Sequence, residues 1–91
     1  MNQKTIYIIA NFRNEEQCIN EFINRINNSF KKIKKIDYRL IFVDDFSNDL
    51  SNKLIKKAKV KNKKIKLITL KKRYGHSPSL QTAFDYINNK N

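Results

Sequence analysis

The chain has 91 residues, room for one small domain that buries little more than half of its unfolded surface. Twenty Lys and Arg against eight Asp and Glu leave a formal charge of +12, yet 40% of the residues are hydrophobic, more than a highly charged disordered segment carries. These bounds exclude a two-domain enzyme and an unstructured tail.

Thr5 to Ala10 (TIYIIA) is a continuous apolar run rich in β-branched residues, the pattern of a strand buried on both faces. Ile19, Phe22, Ile23, Ile26, Phe30 and Ile33 then recur at steps of three and four, the stripe of a helix. Asn14 with Gln17 three residues on has the form of a capping box, and Glu15 and Glu16 would fall in the first turn, where the helix dipole favours anions. Tyr38 to Val43 (YRLIFV) predicts a second strand, ended by Asp44 and Asp45. Asp49 is placed to cap a short helix whose apolar face is Leu50, Leu54, Ile55 and Ala58. Ile65 to Leu70 (IKLITL) predicts a third strand, and Ser77 before Pro78 starts a third helix with Leu80, Ala83, Phe84 and Ile87 on its stripe. Strands that alternate with helices imply an α/β fold: three β-α units in a parallel, Rossmann-like sheet of order 3-2-1 with both faces covered, spanning 1–91. Ligands on such sheets bind beyond the carboxyl ends of the strands.

One cysteine, Cys18, cannot close an intrachain disulfide, and with a single His it offers no soft ligand set for structural zinc. A reducing setting is expected. The five-residue apolar run in MNQKTIYIIA is too short for a signal-peptide core or a spanning helix, so the expected location is cytoplasmic, with any membrane contact peripheral.

Twelve of the sixteen Lys fall between Lys31 and Lys66, accompanied along the chain by thirteen Asn and thirteen Ile. A genome rich in A and T produces that composition as readily as a polyanionic partner requires it. A small basic module that binds nucleic acid or an anionic membrane through the Lys-rich second helix is therefore one reading. The stretch from Lys53 to Lys66 contains no aromatic residue, so it has no stacking platform for single strands.

Asp44 and Asp45 end a strand side by side, and two carboxylates are costly there unless solvated, paired or used. Either one caps the loop while the other faces water, or the pair faces a ligand. A dinucleotide loop of the G-x-G-x-x-G type is excluded, because the only glycine is Gly75. A phosphoacceptor cluster fits poorly, since response-regulator receivers carry their acidic pair after the first strand.

Asn14-Glu15, Val43-Asp44-Asp45 with Ser47 and Asp49, and Gly75-His76 stand in the order, spacing and strand context of a known pattern. That pattern is a first strand, Pro-x-x-Asn-Glu, a helix, a second strand ending in Val-Asp-Asp-Gly-Ser-x-Asp, and a third ending in Arg-Asn-x-Gly-His. Through its whole length the chain resembles the opening of a family 2 glycosyltransferase of GT-A fold, especially the branch that charges polyprenyl phosphates with sugars. The resemblance implies that Glu15 and Asp45 lie around the base and ribose of a sugar-nucleotide donor of UDP or GDP type, with Asp44 supporting their loop. A carboxylate there can accept strong hydrogen bonds from a base N–H or from ribose hydroxyls. Ser47 and Asp49 are expected to organise the turn and cap the next helix. The acceptor implied is a lipid phosphate or a saccharide.

Departures from the pattern are Asn11 for Pro, Arg13 where an aromatic is common, Phe46 for Gly, and Lys72-Arg73-Tyr74-Gly75 for Arg-Asn-Phe-Gly. Arg13 either meets a phosphate or is a solvated loop residue, and His76, with no Ser or Cys partner, is assigned no catalytic role. A complete family member would carry an Asp-x-Asp on the next strand to hold Mg or Mn against the donor diphosphate. No Asp-x-Asp occurs in these 91 residues, so no catalytic or metal-ligating residue is assigned and transfer by this stretch alone is not expected. In the family's order, 3-2-1-4, the first strand would be left as an open edge, prone to self-association.

Overall fold

The computed structural model describes residues 4–33, 35–72 and 76–90, in the order β1 (Lys4–Phe12), α1 (Ile19–Lys31), β2 (Ile36–Asp44), α2 (Ser51–Lys61), β3 (Ile65–Thr69) and α3 (His76–Lys90). The three strands form one parallel sheet in the order β1-β2-β3, which is the expected arrangement. β1 and β2 pair without offset from Lys4 opposite Ile36 to Phe12 opposite Asp44. β3 joins higher up, from Ile65 opposite Leu40 to Thr69 opposite Asp44. All three strands therefore stop at one level.

Side chains alternate between two covered faces, as the pleat requires. On one face Ile8, Ala10 and Phe12 of β1, Tyr38, Leu40 and Phe42 of β2, and Ile65 and Leu67 of β3 pack beneath Ile19, Ile23, Ile26 and Phe30 of α1 and Leu54, Ile55 and Ala58 of α2. Phe12 and Phe22 both meet the Phe42 ring edge-on, with centroids 5.7 and 5.9 Å away. On the other face Tyr7, Ile9, Ile41, Val43, Ile68 and Leu70 pack against Ala83, Tyr86 and Ile87 of α3. The central strand carries the core: Leu40, Ile41, Phe42 and Val43 are each at most 1% exposed. Each such side chain stabilises the fold by about 1.5–3 kcal/mol relative to leaving it in water. Ala83 is completely buried, so a larger side chain there would have to displace Ile41 or Val43.

Several local expectations are corrected. β1 is covered on both faces as expected, but less completely than β2: Lys4, Thr5 and Ile6 at its start are exposed, Ile6 at 40%, and Tyr7 to Asn11 are half-buried, because β1 is a sheet edge among the described residues. Helix α1 starts at Ile19 rather than after Asn14, since Glu15 to Cys18 close a turn of their own through the Cys18 N–H and the Glu15 carbonyl (2.9 Å). Of its expected stripe, Ile33 lies beyond the helix and is exposed. Leu50 is exposed at the N-terminus of α2. On α3, Phe84 is exposed and Tyr86 packs in the core instead. The helix begins within two residues of the Ser77-Pro78 signal, and the side chains of that turn lie outside the described residues.

Candidate nucleotide site at the strand ends

Because β1 and β2 end opposite each other, the loops that follow them leave the sheet side by side. The Asp45 N–H donates to the Phe12 carbonyl (2.9 Å), which extends the pairing one step past the strands. Beyond that point side chains take over. The Asn14 N–H donates to Ser47 Oγ (2.9 Å), and the Asn48 N–H returns a bond to Asn14 Oδ1 (2.9 Å). The Glu15 N–H donates to Ser51 Oγ (2.8 Å) and the Glu16 N–H to Asp49 Oδ2 (3.3 Å). Asn14 is thus no helix cap; its backbone is left-handed (φ 57°), a conformation Asn tolerates, and its side chain ties two loops together.

The N-cap position of α2 is Leu50, which makes no side-chain cap bond, so Asp49 is not the cap itself; it stands one residue earlier and accepts from the Ser51 N–H (2.9 Å). Partial desolvation pushes its carboxyl up, but the bonds from the Ser51 hydroxyl and from the Ser51 and Glu16 amides outweigh this and hold it below the usual carboxylate range. Ser47 organises the turn, as expected, through Asn14 and through its own N–H, which donates to Asp44 Oδ1 (2.8 Å).

Asp44 is 1% exposed, and both of its oxygens are engaged: Oδ1 by Ser47, Oδ2 by Asn52 Nδ2 (2.6 Å). Asn52 also donates to Thr69 Oγ1 (3.0 Å), and the Leu70 N–H donates to the Asp44 carbonyl (3.0 Å). The buried carboxylate of Asp44 thus ties the end of β2 to the start of α2, and Asn52 and the Asp44 backbone carbonyl carry the link on to the end of β3. Asn52 and Thr69 were not singled out in the sequence; the clue available was that an acidic pair at a strand end requires donors, and Asn52 offers one a turn into the next helix.

Phe46, which stands where the resembled pattern has Gly, adopts the left-handed backbone that glycine would supply (φ 64°). That conformation costs a residue with a Cβ about 1–2 kcal/mol. The ring is 48% exposed at the loop surface beside Asp45.

Of the sequence-predicted site residues, Asp45 is buried at 6% exposure, while Glu15 is exposed. Glu15 lines two adjoining depressions. One, of about 330 Å³, is bordered by Asn14, Glu16, Gln17, Cys18 and Asp49. The other, of about 240 Å³, is walled by Ala10, Phe12, Ile19, Phe22 and Phe42. Asp45 borders neither, so the fold brings the two residues to one edge on neighbouring loops without placing them in one cavity. Arg13 Nε is buried with no hydrogen-bond partner among the described residues. Gly75 and the side chain of His76 lie outside the described residues.

A cation cage made by protein groups alone needs several carboxylate or imidazole ligands converging on one point, whereas Mg held with a phosphate ligand needs only one or two. Among the described residues no three His, Cys, Asp or Glu side chains are grouped into such a cage, and Asp44 is committed to Ser47 and Asn52. The described residues therefore do not form a metal centre by themselves.

A parallel sheet covered on both faces, with acidic loops at its carboxyl edge, puts the chain in the Rossmann-like α/β class. Residues 7–90 match the glycosyl transferase family 2, and the chain belongs to that family. It is 28% identical over 79 residues to the uncharacterized glycosyltransferase YkcC of Bacillus subtilis, covering 87% of this chain and 24% of that protein. The mannosyltransferase PcManGT of Pyrobaculum calidifontis, solved in complex with GDP-Man and Mn2+, superimposes with a TM-score of 0.77 at 19% identity over 94% of this chain and 25% of its own. The fold is that of the GT-A glycosyltransferases. The chain spans about a quarter of each of these relatives.

Proposed function

We propose that this chain forms the nucleotide-binding part of a family 2 glycosyltransferase, receiving the base and ribose of a UDP- or GDP-sugar donor at Glu15 and Asp45, with Asp44 bracing the loop. The observation that carries the reading is the joining of the post-β1 and post-β2 loops, which fixes Glu15 and Asp45 on adjacent loops at the carboxyl edge. Family membership and the fold shared with a GDP-mannose complex support it. The acceptor we infer is a lipid phosphate or a saccharide. In a complete family member, the resemblance implies, transfer rests on the metal-binding Asp-x-Asp of the strand that follows the third helix.

Titration of the 15N-labelled chain with UDP and with GDP tests the reading. Binding should shift the amide resonances of residues 13–16 and 44–47 at low-millimolar nucleotide, and Asp45→Asn should weaken it by about tenfold, the loss of one charge-assisted hydrogen bond. Unchanged spectra at 10 mM of either nucleotide, on the order of the weakest affinity of interest, would overturn it.

A further inference from the structure

The cations of this chain are unevenly balanced along the strand axis. At the carboxyl edge Glu15, Glu16, Asp44, Asp45 and Asp49 stand with Arg13, Lys53, Lys71 and Lys72, whereas at the opposite end Lys31, Lys32 and Lys35 surround the α1–β2 connection and Lys61 and Lys63 the α2–β3 connection. Genome composition accounts for the number of lysines but not for this placement. Neither connection contains a carboxylate; the one closest in sequence to the α1–β2 connection, Asp37 at the second position of β2, is already held by Arg39 and Lys64, and Lys31, Lys32, Lys35, Lys61 and Lys63 are exposed. Exposed apolar side chains stand among the same lysines: Ile33 at 43% exposure between Lys32 and Lys35, and Val60 at 82% between Lys59 and Lys61. A groove of about 380 Å³ opens at this end, with Phe30, Ile33, Ile36 and Tyr38 among its walls and Lys31 and Lys64 beside them.

We propose that this basal end, centred on Lys31, Lys32, Ile33 and Lys35, docks on the surface of an anionic phospholipid bilayer. Ammonium groups interleaved with exposed aliphatic side chains match such an interface, where headgroup phosphates lie above an apolar boundary. A nucleic-acid duplex would engage the lysines but offers nothing to Ile33 or Val60. Among the described residues no helix is long and apolar enough to cross a membrane, so the contact is a surface contact. It points the carboxyl edge away from the lipid, with the nine-residue β2 as the spacer, a length of about 30 Å, so of the two acceptor classes inferred above it is compatible with a saccharide and not with a lipid phosphate held in the same bilayer. The proposal does not depend on nucleotide binding at that far edge.

Co-sedimentation of the chain with vesicles of phosphatidylglycerol and phosphatidylcholine, against phosphatidylcholine alone, tests it. Binding should require phosphatidylglycerol and weaken as salt rises. Each lysine at an anionic surface is worth about fivefold in partitioning, so Lys31→Gln/Lys32→Gln/Lys35→Gln should bind about 100-fold more weakly. Lys53→Gln/Lys66→Gln/Lys71→Gln removes the same charge from exposed positions elsewhere and should cost less than about tenfold if placement rather than net charge decides. A thiol-linked fluorophore at position 33, placed by Ile33→Cys in a Cys18→Ser background, should be quenched by brominated lipid; one on native Cys18 should not.

Equal losses in the two triple variants, binding to phosphatidylcholine alone, the reverse quenching pattern, or no binding at low salt each overturn the proposal. So does displacement from the vesicles by a short DNA duplex at equal concentration of phosphate, which would identify nucleic acid as the partner. Circular dichroism of each variant separates a lost contact from a lost fold.

Discussion

Replacing Asp44 by Ala removes the carboxylate that accepts bonds from both the loop after β2 and the first turn of α2. Asp44 Oδ1 receives the Ser47 N–H at 2.8 Å and Oδ2 the Asn52 amide at 2.6 Å, and the side chain is 1% exposed. Hydrogen bonds to a charged group contribute about 1.5–3 kcal/mol each, and the stranded donors add to the loss unless water reaches them. Allowing for that rescue, Asp44→Ala should cost about 3 kcal/mol. A chain of 91 residues has a total stability of about 5–13 kcal/mol, so this is a large fraction. Thermal unfolding followed by circular dichroism should show the midpoint falling by about 12–20 °C. Asp44→Asn keeps an oxygen for Ser47 and lets Asn52 turn its amide, and should cost about 1 kcal/mol. A double-mutant cycle with Asn52→Ala should return a coupling of more than about 1 kcal/mol. If Asp44→Ala unfolds within about 4 °C of the parent protein, the carboxylate is not the joint described here and the reasoning fails.

Two further outcomes follow from the geometry. Phe46→Val puts a β-branched residue at φ 64° and should destabilise by about 1–2 kcal/mol, whereas Phe46→Gly should be near neutral, its relief of backbone strain offsetting the loss of a half-buried ring; urea midpoints of the two variants provide the comparison. At the basal end the Lys64 ammonium beside Asp37 holds its carboxyl below the usual range, outweighing partial burial, with Arg39 adding to it. A lowered folded-state value means that the unfolded chain binds more protons in this window. The contribution of Asp37 is therefore full above about pH 4, the value of an unperturbed Asp, and is lost as pH falls through the folded-state value. The stability gap between the parent and Asp37→Asn, measured in urea, should narrow as pH drops; a gap that widens contradicts the assignment.

The period of the apolar residues made the architecture legible, because a stripe such as Ile19, Ile23, Ile26 and Phe30 and a run such as YRLIFV each need only local geometry to be read. What misled was equally local. Asn14 and Gln17 have the spacing of a capping box, yet the partners of Asn14 are Ser47 and Asn48, more than thirty residues away, and no sequence window contains them. TIYIIA has the composition of a buried strand and does pack on both faces, but it stays only half-buried because its burial also depends on a neighbour on each side, which is a property of the sheet. Phe84 and Tyr86 are both aromatic residues on one helix, and only the packing of α3 on Ile41 and Val43 decides which faces inward. At the site, the residues alone mark Asp44 and Asp45 as an unusual acidic pair without dividing the labour between them, and it is the resemblance that assigns Asp44 to supporting the loop. The structure gives that role a cause: Asp44 lies at the end of β2 within reach of Ser47 and Asn52, and Asp45 is tied through its backbone to Phe12.

The level ending of β1 and β2 also bears on how the chain folds. Every bond between the two site loops, from Asn14 to Ser47 through Glu16 to Asp49, spans at least 33 residues. None of them forms while the chain is only locally helical; each waits for a parallel pairing that must first enclose the whole of α1. Parallel pairing carries this loop-closure entropy before it returns any contact energy, so it is a slow step. The amides of Asn14, Glu15 and Asn48 are accordingly clocks for that step, gaining protection from hydrogen exchange together with β1 and later than α1 and α2.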